Sequence, residues 1–269
     1  MYETHFGLSS RPFRDSVATD DYVALAGHDR TMRRLRYAIE HCHGSAVLYG
    51  PSGTGKTMVA GRLANELGVP TTHLTFPAIP AAELLALIAD EMVPASHTTA
   101  RPIGDSLRQL RSGLAASVAK GLRPLLIIDE AQLIEDPATF ELLRLLLNFT
   151  TQGIADLSIL LVGTAELLLD LPPAFADRLA ARCLLSPMTA DEARLYVEGR
   201  LRAAGAIRSI FADDAMQTLH RLADGLPRRL NRLADLSLMM AYANESDQVD
   251  SGMVEAASEE YEPRPYLAA

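Results

Sequence analysis

The stretch that most constrains this chain is Gly-Pro-Ser-Gly-Thr-Gly-Lys-Thr at positions 50–57. It fits the pattern G-x-x-x-x-G-K-[ST], in which glycines let backbone N–H groups turn inward around an anion and the lysine reaches its phosphates. An apolar run at Ala46–Tyr49 reads as a short buried strand before the loop, and Met58–Leu67 carries helical apolar spacing after it. Because the pattern needs this strand, loop and helix order, we interpret it as a phosphate-binding P-loop rather than a glycine-rich turn.

A P-loop assigns a role to its residues. Lys56 reaches the β- and γ-phosphates and assists catalysis, and the hydroxyl of Thr57 coordinates magnesium. Lysine is scarce in this chain, since Lys120 is the only other one, so an incidental lysine at position 56 is less expected than usual. We expect ATP with magnesium to be bound by Gly50, Pro51, Ser52, Gly53, Thr54, Gly55, Lys56, Thr57 and Met58.

A second apolar run, Leu125–Ile128, is followed directly by Asp129 and Glu130. Parallel sheets bind their ligands at the carboxyl ends of their strands, which is where these two carboxylates would lie. We expect Asp129 to hold the magnesium ion and Glu130 to polarise the attacking water. Acid pairs also occur as solvated strand ends, but downstream of a P-loop the catalytic interpretation is favoured.

Charge and composition narrow the classes of function. The chain has 269 residues, a net charge of −9 and a pI near 5.3, which disfavours a general electrostatic grip on nucleic acid or anionic lipid. Its two cysteines predict no disulfide framework, its start lacks a leader-like apolar segment, and it has no run of 18 apolar residues. We expect a cytoplasmic protein without direct membrane insertion.

Strand-like and helical patterns alternate along the chain up to Pro187, and only helical patterns follow it. Strands are predicted at Ala46–Tyr49, Thr72–Phe76, Leu125–Ile128, Ser158–Val162 and Cys183–Leu185. Helices are predicted at Asp29–His41, Lys56–Leu67, Ala81–Met92, Ile103–Ala119, Ala138–Phe149, Glu166–Leu171, Thr189–Ala204, Asp213–Ala223, Pro227–Ala243 and Ser251–Glu260. The alternation predicts an α/β fold, a parallel five-stranded sheet with flanking helices, followed by a small all-α lid domain.

The same patterns divide the chain into segments. Residues 1–27 have no periodicity and read as an irregular N-terminal arm, and residues 28–187 form the P-loop core. Residues 188–260 form the helical lid, and residues 261–269 belong to an acidic stretch that reads as a flexible, solvated tail.

Three further residues are candidates for catalysis. The fourth strand ends in Gly163-Thr164, which places the Thr164 side chain beside the Asp129 strand, although an ordinary strand cap explains it nearly as well. The run Asp177–Arg182 reads as a helix end before the last strand, where an exposed arginine can enter the site of a neighbouring copy and stabilise the transferring phosphoryl group. Arg182 is preferred as this finger, with Arg178 as the alternative.

A last candidate, Arg228, lies in Gly225-Leu226-Pro227-Arg228, where a proline marks the first turn of a helix. From there it can reach the phosphates and couple the nucleotide state to the angle between the domains. A solvated arginine at a helix start is the alternative.

Together these motifs resemble an AAA+ ATPase, and more narrowly the ExeA/GspA group of ATPases associated with secretion, pilus biogenesis and exopolysaccharide loci. The resemblance spans roughly positions 5 to 245 and is carried by Phe6-Gly7-Leu8, Pro12-Phe13, the Asp129–Gln132 run, Gly163, Glu166-Leu167, Tyr196, Arg200-Leu201, Ala204-Gly205, Phe211, Gly225–Arg228 and Asn231. It implies a magnesium-dependent ATPase that drives or regulates assembly of a secretion, pilus or polysaccharide-export system. It also implies a ring, a hexamer by analogy, whose assembly depends on ATP, and recruitment to the inner membrane face by a membrane-anchored or other envelope partner.

The sequence departs from that group at one site residue, because Gly163-Thr164-Ala165-Glu166-Leu167 stands where the group usually has Gly-Gln-Pro-Glu-Leu. Two other functions stay open. A DNA-bound regulator like the transposition ATPases shares the P-loop and the Asp-Glu-Ala run, and the arginine cluster Arg221, Arg228, Arg229 and Arg232 keeps it open against the acidic charge. A nucleotide switch without turnover is disfavoured by the intact Glu130.

Overall fold

A computed structural model describes residues 1–14, 22–41, 44–93 and 102–261 of the chain, which divides into two compact units. The helical unit comprises Met1–Asp29, Gly53–Gly55 and Ser186–Ala269, and the sheet unit comprises Arg30–Ser52 and Lys56–Leu185. Of the tail predicted at 261–269, only the backbone of Tyr261 belongs to the described residues. Residues 15–21 of the predicted arm also lie outside them.

The sheet unit is built on five parallel strands in the order β2-β3-β6-β1-β7, which confirms the predicted fold class. In chain order its strands are β1 Ser45–Tyr49, β2 Thr71–Leu74, β3 Leu125–Ile128, β4 Thr150–Thr151, β5 Ile154–Ala155, β6 Ser158–Gly163 and β7 Leu179–Leu184. The two short strands β4 and β5 form a separate antiparallel hairpin. All four residues of β3 are fully buried, as an apolar strand inside a parallel sheet requires.

Helices surround these strands and make up the other unit. They are α1 Tyr2–His5, α2 Ala26–Glu40, α3 Lys56–Leu67, α4 Ala81–Met92, α5 Ile103–Ala119, α6 Pro137–Leu146, α7 Leu167–Asp170, α8 Pro173–Ala176, α9 Ala190–Ala203, α10 Asp213–Ala223, α11 Pro227–Ala243 and α12 Ser251–Tyr261. A 3-10 turn, Ala131–Leu133, follows β3. No helix in the described ranges is both long and apolar enough to cross a membrane.

The last strand of the sheet differs from its prediction. The segment read as a helix end at Asp177–Arg182 is largely strand, because β7 already begins at Leu179 and pairs in parallel with β1. Exposure alternates along it, with Arg182 and Leu184 outward and Cys183 buried. The residues Leu-Ala-Ala-Arg favour helix intrinsically, and the hydrogen bonds offered by β1 override that preference.

Smaller differences occur at other element ends. Helix α2 begins at Ala26 rather than Asp29, and the Glu192 carboxylate accepts the Gly27 N–H at 2.8 Å, which satisfies one of the free donors at this helix start. Helix α6 ends at Leu146 because the chain then turns into the β4–β5 hairpin. The helix predicted at Glu166–Leu171 is the short helix α7, and a second short helix, α8, follows after Pro172.

The helical unit has its own hydrophobic core, to which the start of the chain contributes. Tyr2, Phe6 and Phe13 pack in one buried cluster with residues of α9, α10 and α11. The hydroxyl of Tyr2 donates to Asp235 Oδ1 at 2.6 Å, and the Arg11 guanidinium forms an ion pair with the same carboxylate. Within residues 1–14, the segment read as an irregular arm therefore contributes to this core and begins with the helical turn α1.

Candidate nucleotide site

The carboxyl ends of the parallel strands carry the residues that the sequence predicted to be functional. The P-loop follows β1, Asp129 and Glu130 follow β3, and Thr164 follows β6. Since β3, β6 and β1 are neighbours in the sheet, these residues are gathered at one edge of it.

The first glycine of the P-loop is required by a close backbone approach. A Cβ atom at Gly50 would lie 2.3 Å from the carbonyl oxygen of Leu185, closer than any side chain tolerates. Gly53 and Gly55 have φ angles of 83° and 92°, in the region that favours glycine. Their positions let the loop turn around an anion, and the loop leads into the first turn of α3 with Lys56, Thr57 and Met58.

Lys56 is held across the loop that precedes it. Its side chain is buried, and its ammonium group donates to the carbonyl oxygens of Gly50 and Pro51, each at 3.0 Å. The charge is therefore already placed over the turn in which the motif binds phosphates.

The candidate magnesium ligands touch each other. The hydroxyl of Thr57 donates to Asp129 Oδ2 at 2.6 Å, and His73 Nε2 lies 3.5 Å from the same oxygen, at ion-pair rather than hydrogen-bond distance. Burial raises the pKa of Asp129, but His73, the Thr57 hydroxyl and the Glu130 N–H together lower it below its usual value.

An ionised carboxylate beside a hydroxyl fits a hard cation such as Mg²⁺, which prefers oxygen ligands. The described ranges contain no group of three or more His, Cys, Asp or Glu that could hold a metal ion. A single carboxylate is enough for magnesium when the phosphates of a nucleotide supply further ligands.

Glu130 has an unusual backbone and a partner that the sequence reading missed. It adopts φ 51° and ψ 38°, the left-handed region, and its N–H donates to Asp129 Oδ1 at 2.9 Å. Its carboxylate accepts a hydrogen bond from Gln132 Nε2 at 2.6 Å, and Gln132 Oε1 accepts the Thr164 N–H at 3.1 Å. Gln132 thus joins the ends of β3 and β6; its place in the Asp-Glu-Ala-Gln run was the available signal.

The hydroxyl of Thr164 contacts another residue. It hydrogen-bonds to the carboxylate of Glu166 and lowers the pKa of that carboxyl. The contact between Thr164 and the network around Glu130 is made by its backbone N–H, which donates to Gln132 Oε1.

The two candidate finger arginines are both exposed. They lie in or next to β7, which is the edge strand of the sheet on the side opposite β2. Arg182 lies within β7 and donates to the carbonyl oxygen of Ala176 at 3.4 Å. Arg178 precedes the strand and donates to Asn148 Oδ1 at 3.0 Å. A finger acts on a neighbouring copy, so both assignments stay predictions.

Arg228 lies in the first turn of α11, after Pro227. Its backbone N–H, one of the free donors of a helix start, donates to the carbonyl oxygen of Gly53 at 3.3 Å, and both residues belong to the helical unit. Gly225, with φ 66°, makes the turn before this helix, where a Cβ atom would lie 2.3 Å from the Met188 oxygen. The start of α11 is therefore attached to a P-loop glycine.

Comparison with known proteins shows which proteins this chain resembles. The sequence profile of the AAA domain matches residues 39–169. The general secretion pathway protein A of Aeromonas hydrophila is 34% identical over 267 residues, 97% of this chain and 48% of that protein. The RuvB subunit of the Holliday junction branch migration complex from Lactobacillus helveticus is 27% identical over 202 residues, 72% of this chain and 50% of that protein. The chain thus spans about half the length of these relatives.

A solved structure supports the fold. The Cdc6p protein of Pyrobaculum aerophilum superposes with a TM-score of 0.75 at 19% identity, covering 93% of this chain and 70% of that one. At this identity the likeness concerns the fold, and it agrees with the parallel sheet followed by helices.

Proposed function

Because this chain belongs to the AAA+ ATPases, in the group of general secretion pathway protein A, we propose that it hydrolyses ATP with magnesium to drive or regulate assembly of a secretion, pilus or polysaccharide-export system. The observation that carries the proposal is the hydrogen bond of 2.6 Å between Thr57 and Asp129, next to a P-loop whose lysine already lies across the turn. This pair supplies the ligands that a magnesium nucleotide needs.

Each residue at the edge then has a defined task. Lys56 and the N–H groups at the start of α3 bind and orient the phosphates, and Thr57 and Asp129 hold magnesium, which would neutralise charge on the phosphates. Glu130 orients a water molecule and accepts its proton. We propose Thr164 as an auxiliary polar contact, Arg228 as a phosphate contact from the helical unit, and Arg182 or Arg178 as the finger for a neighbouring copy.

A finger supplied by another copy requires self-association, so we propose a ring that forms with ATP. General secretion pathway protein A is named for a secretion pathway, which supports an envelope or membrane-anchored partner for this chain and recruitment from the cytoplasm to the inner membrane face.

A DNA-dependent regulator is the second candidate, supported by the relative named as a subunit of the Holliday junction branch migration complex. The structure weakens the charge argument for it. Arg221 pairs with Glu255 at 3.2 Å, and Arg229 pairs with Asp224. Two arginines of the four-residue cluster are thus partly neutralised by acidic neighbours, which reduces their pull on a phosphate backbone.

The test is ATP turnover by the purified protein with magnesium, measured over a range of protein concentrations with and without duplex DNA. We expect specific activity to rise with protein concentration and to be indifferent to DNA, because the finger comes from another copy. Activity that requires DNA would favour the second candidate, and absence of turnover with intact ATP binding would favour a switch.

A further inference from the structure

We propose that Gln132 is a positioning residue that fixes the side chain of Glu130 by tying it to the end of β6. The proposal rests on the proposed function, because it concerns the group that would activate water for ATP hydrolysis. It adds a residue that touches neither nucleotide nor magnesium and acts through Glu130.

The first support is that both ends of the Gln132 amide are used. Its Nε2 donates to Glu130 Oε2 at 2.6 Å, a charge-assisted bond, and its Oε1 accepts the Thr164 N–H at 3.1 Å. The amide orientation follows from this pairing, because the Thr164 N–H can only donate and an ionised Glu130 can only accept. In the described part of the chain, Oε1 of Glu130 has no protein partner, which leaves that oxygen to meet water.

The second support is the space that the amide occupies. A Cβ atom at Gly163 would lie 2.6 Å from Gln132 Oε1 and 3.1 Å from Leu167 Cδ2. Gly163 has no positive φ angle, so its backbone does not require glycine. The missing side chain makes room for the amide against the end of β6.

The third support is the backbone of Glu130. A left-handed conformation is unfavourable for glutamate by about 1–2 kcal/mol, so surrounding contacts must maintain it. The N–H bond to Asp129 Oδ1 holds the main chain of this turn, and Gln132 holds the side chain that projects from it. Two hydrogen bonds within its own loop thus hold Glu130. Gln132, which makes the second of them, is in turn bonded to Thr164 at the end of β6.

Two substitutions of Gln132 distinguish the effects of its two hydrogen bonds. Gln132→Glu keeps an oxygen for the Thr164 N–H but places a second carboxylate against Glu130, whereas Gln132→Leu removes both bonds at similar volume. Gln132 is partly exposed, so both variants should fold. Gln217→Leu, on the exposed side of α10, is the matched control.

We expect kcat for ATP to fall about 10- to 100-fold in both Gln132 variants, with KM changed less than about threefold, because phosphate binding by Lys56 and Thr57 is untouched. In nucleotide-free protein, amide hydrogen exchange at Thr164 should accelerate about tenfold in Gln132→Leu and stay near that of the unsubstituted chain in Gln132→Glu. Gly163→Ala should displace the amide and lower kcat, with little further loss when combined with Gln132→Leu.

The outcomes are separable. Unchanged kcat in Gln132→Leu, or unchanged exchange at Thr164, would overturn the inference while an active unsubstituted protein leaves the proposed function in place. Additive losses for Gly163→Ala and Gln132→Leu would also overturn it. An unsubstituted protein that binds but does not hydrolyse ATP would overturn the proposed function itself, whatever the exchange at Thr164.

Discussion

Two polar networks in this molecule are built for different ends. In the helical unit, Asp235 is 7% exposed and receives bonds from Tyr2 and Arg11, which are distant in sequence. In the sheet unit, Glu130 is exposed, strained in its backbone and held by Gln132, two residues away. The first network satisfies buried groups and stabilises a fold, and the second aims an exposed group at a ligand.

The difference shows how to distinguish stability from function among polar residues. A buried carboxylate must be paired because an unpaired one is costly, so its partners are explained by burial alone. Glu130 could be solvated without penalty, so burial does not explain its bond to Gln132. Variants at the sheet edge should therefore affect turnover, and variants around Asp235 should affect unfolding.

The largest expected effect is that of Lys56→Ala. Loss of the ammonium group should weaken ATP binding about 1,000-fold or more, because charge-assisted bonds to two phosphates disappear. The measurement is the Kd of a fluorescent ATP analogue, with Lys120→Ala as control, since that lysine is exposed at the end of α5. Ordinary affinity in Lys56→Ala would refute the P-loop assignment.

The next largest effect is expected for Glu130→Gln. The amide cannot accept a proton from water, so turnover should fall about 100- to 1,000-fold while ATP still binds. Thermal unfolding should shift little, because this side chain is exposed. Steady-state turnover and the Kd decide the matter, with exposed Glu135→Gln as control. Unchanged turnover would show that Glu130 does not activate water, and it would contradict the functional difference between the two networks.

A smaller effect, on stability alone, is expected for Asp235→Ala. Removing the carboxylate leaves the buried Tyr2 hydroxyl without its acceptor and Arg11 without its partner, which should lower the free energy of unfolding by about 2–3 kcal/mol. Asp247→Ala is the matched control, because its ion pair with Arg208 is exposed to solvent and should stabilise the fold much less. Equal losses in urea unfolding would contradict the comparison.

The smallest effect is expected for Tyr2→Phe, about 1 kcal/mol in the free energy of unfolding. Burial, together with Asp235, raises the pKa of Tyr2. The folded state therefore holds this proton more tightly than the unfolded chain, so the hydroxyl contributes fully below about pH 10 and its contribution declines above it. The difference between the unsubstituted chain and Tyr2→Phe should shrink above that pH; Tyr242→Phe, on a partly exposed tyrosine, is the control.

Sequence patterns predicted best where the signal is local. Helices α3, α4 and α5 begin and end at the predicted residues because their apolar spacing is regular over three or more turns. Strand β7 was misjudged because its residues favour helix and only the neighbouring β1 makes them a strand. The hairpin β4–β5 is two residues per strand, too short for a periodic signal.

The same distinction applies to the candidate site. The P-loop is one continuous stretch of sequence, and Asp129 and Glu130 are adjacent residues, so each of these two motifs is recognisable from the sequence alone. Gln132 could be read as part of a motif, but its bond to Thr164 depends on β3 and β6 being adjacent and on Gly163 lacking a side chain. His73 beside Asp129 likewise depends on the pairing of β2 with β3.

The packing of Tyr2 and Phe6 against α11 has a consequence for biosynthesis. Ribosomes add about 5–20 residues per second, so the 233 positions between Tyr2 and Asp235 correspond to roughly 10–50 s of translation. During that interval the sheet unit, whose strands all lie before Ser186, can emerge and close while the aromatic side chains near residue 2 remain without their partners. Residues made early are thus among the last to reach their native environment, and a chaperone that covers apolar segments would act on them during the delay.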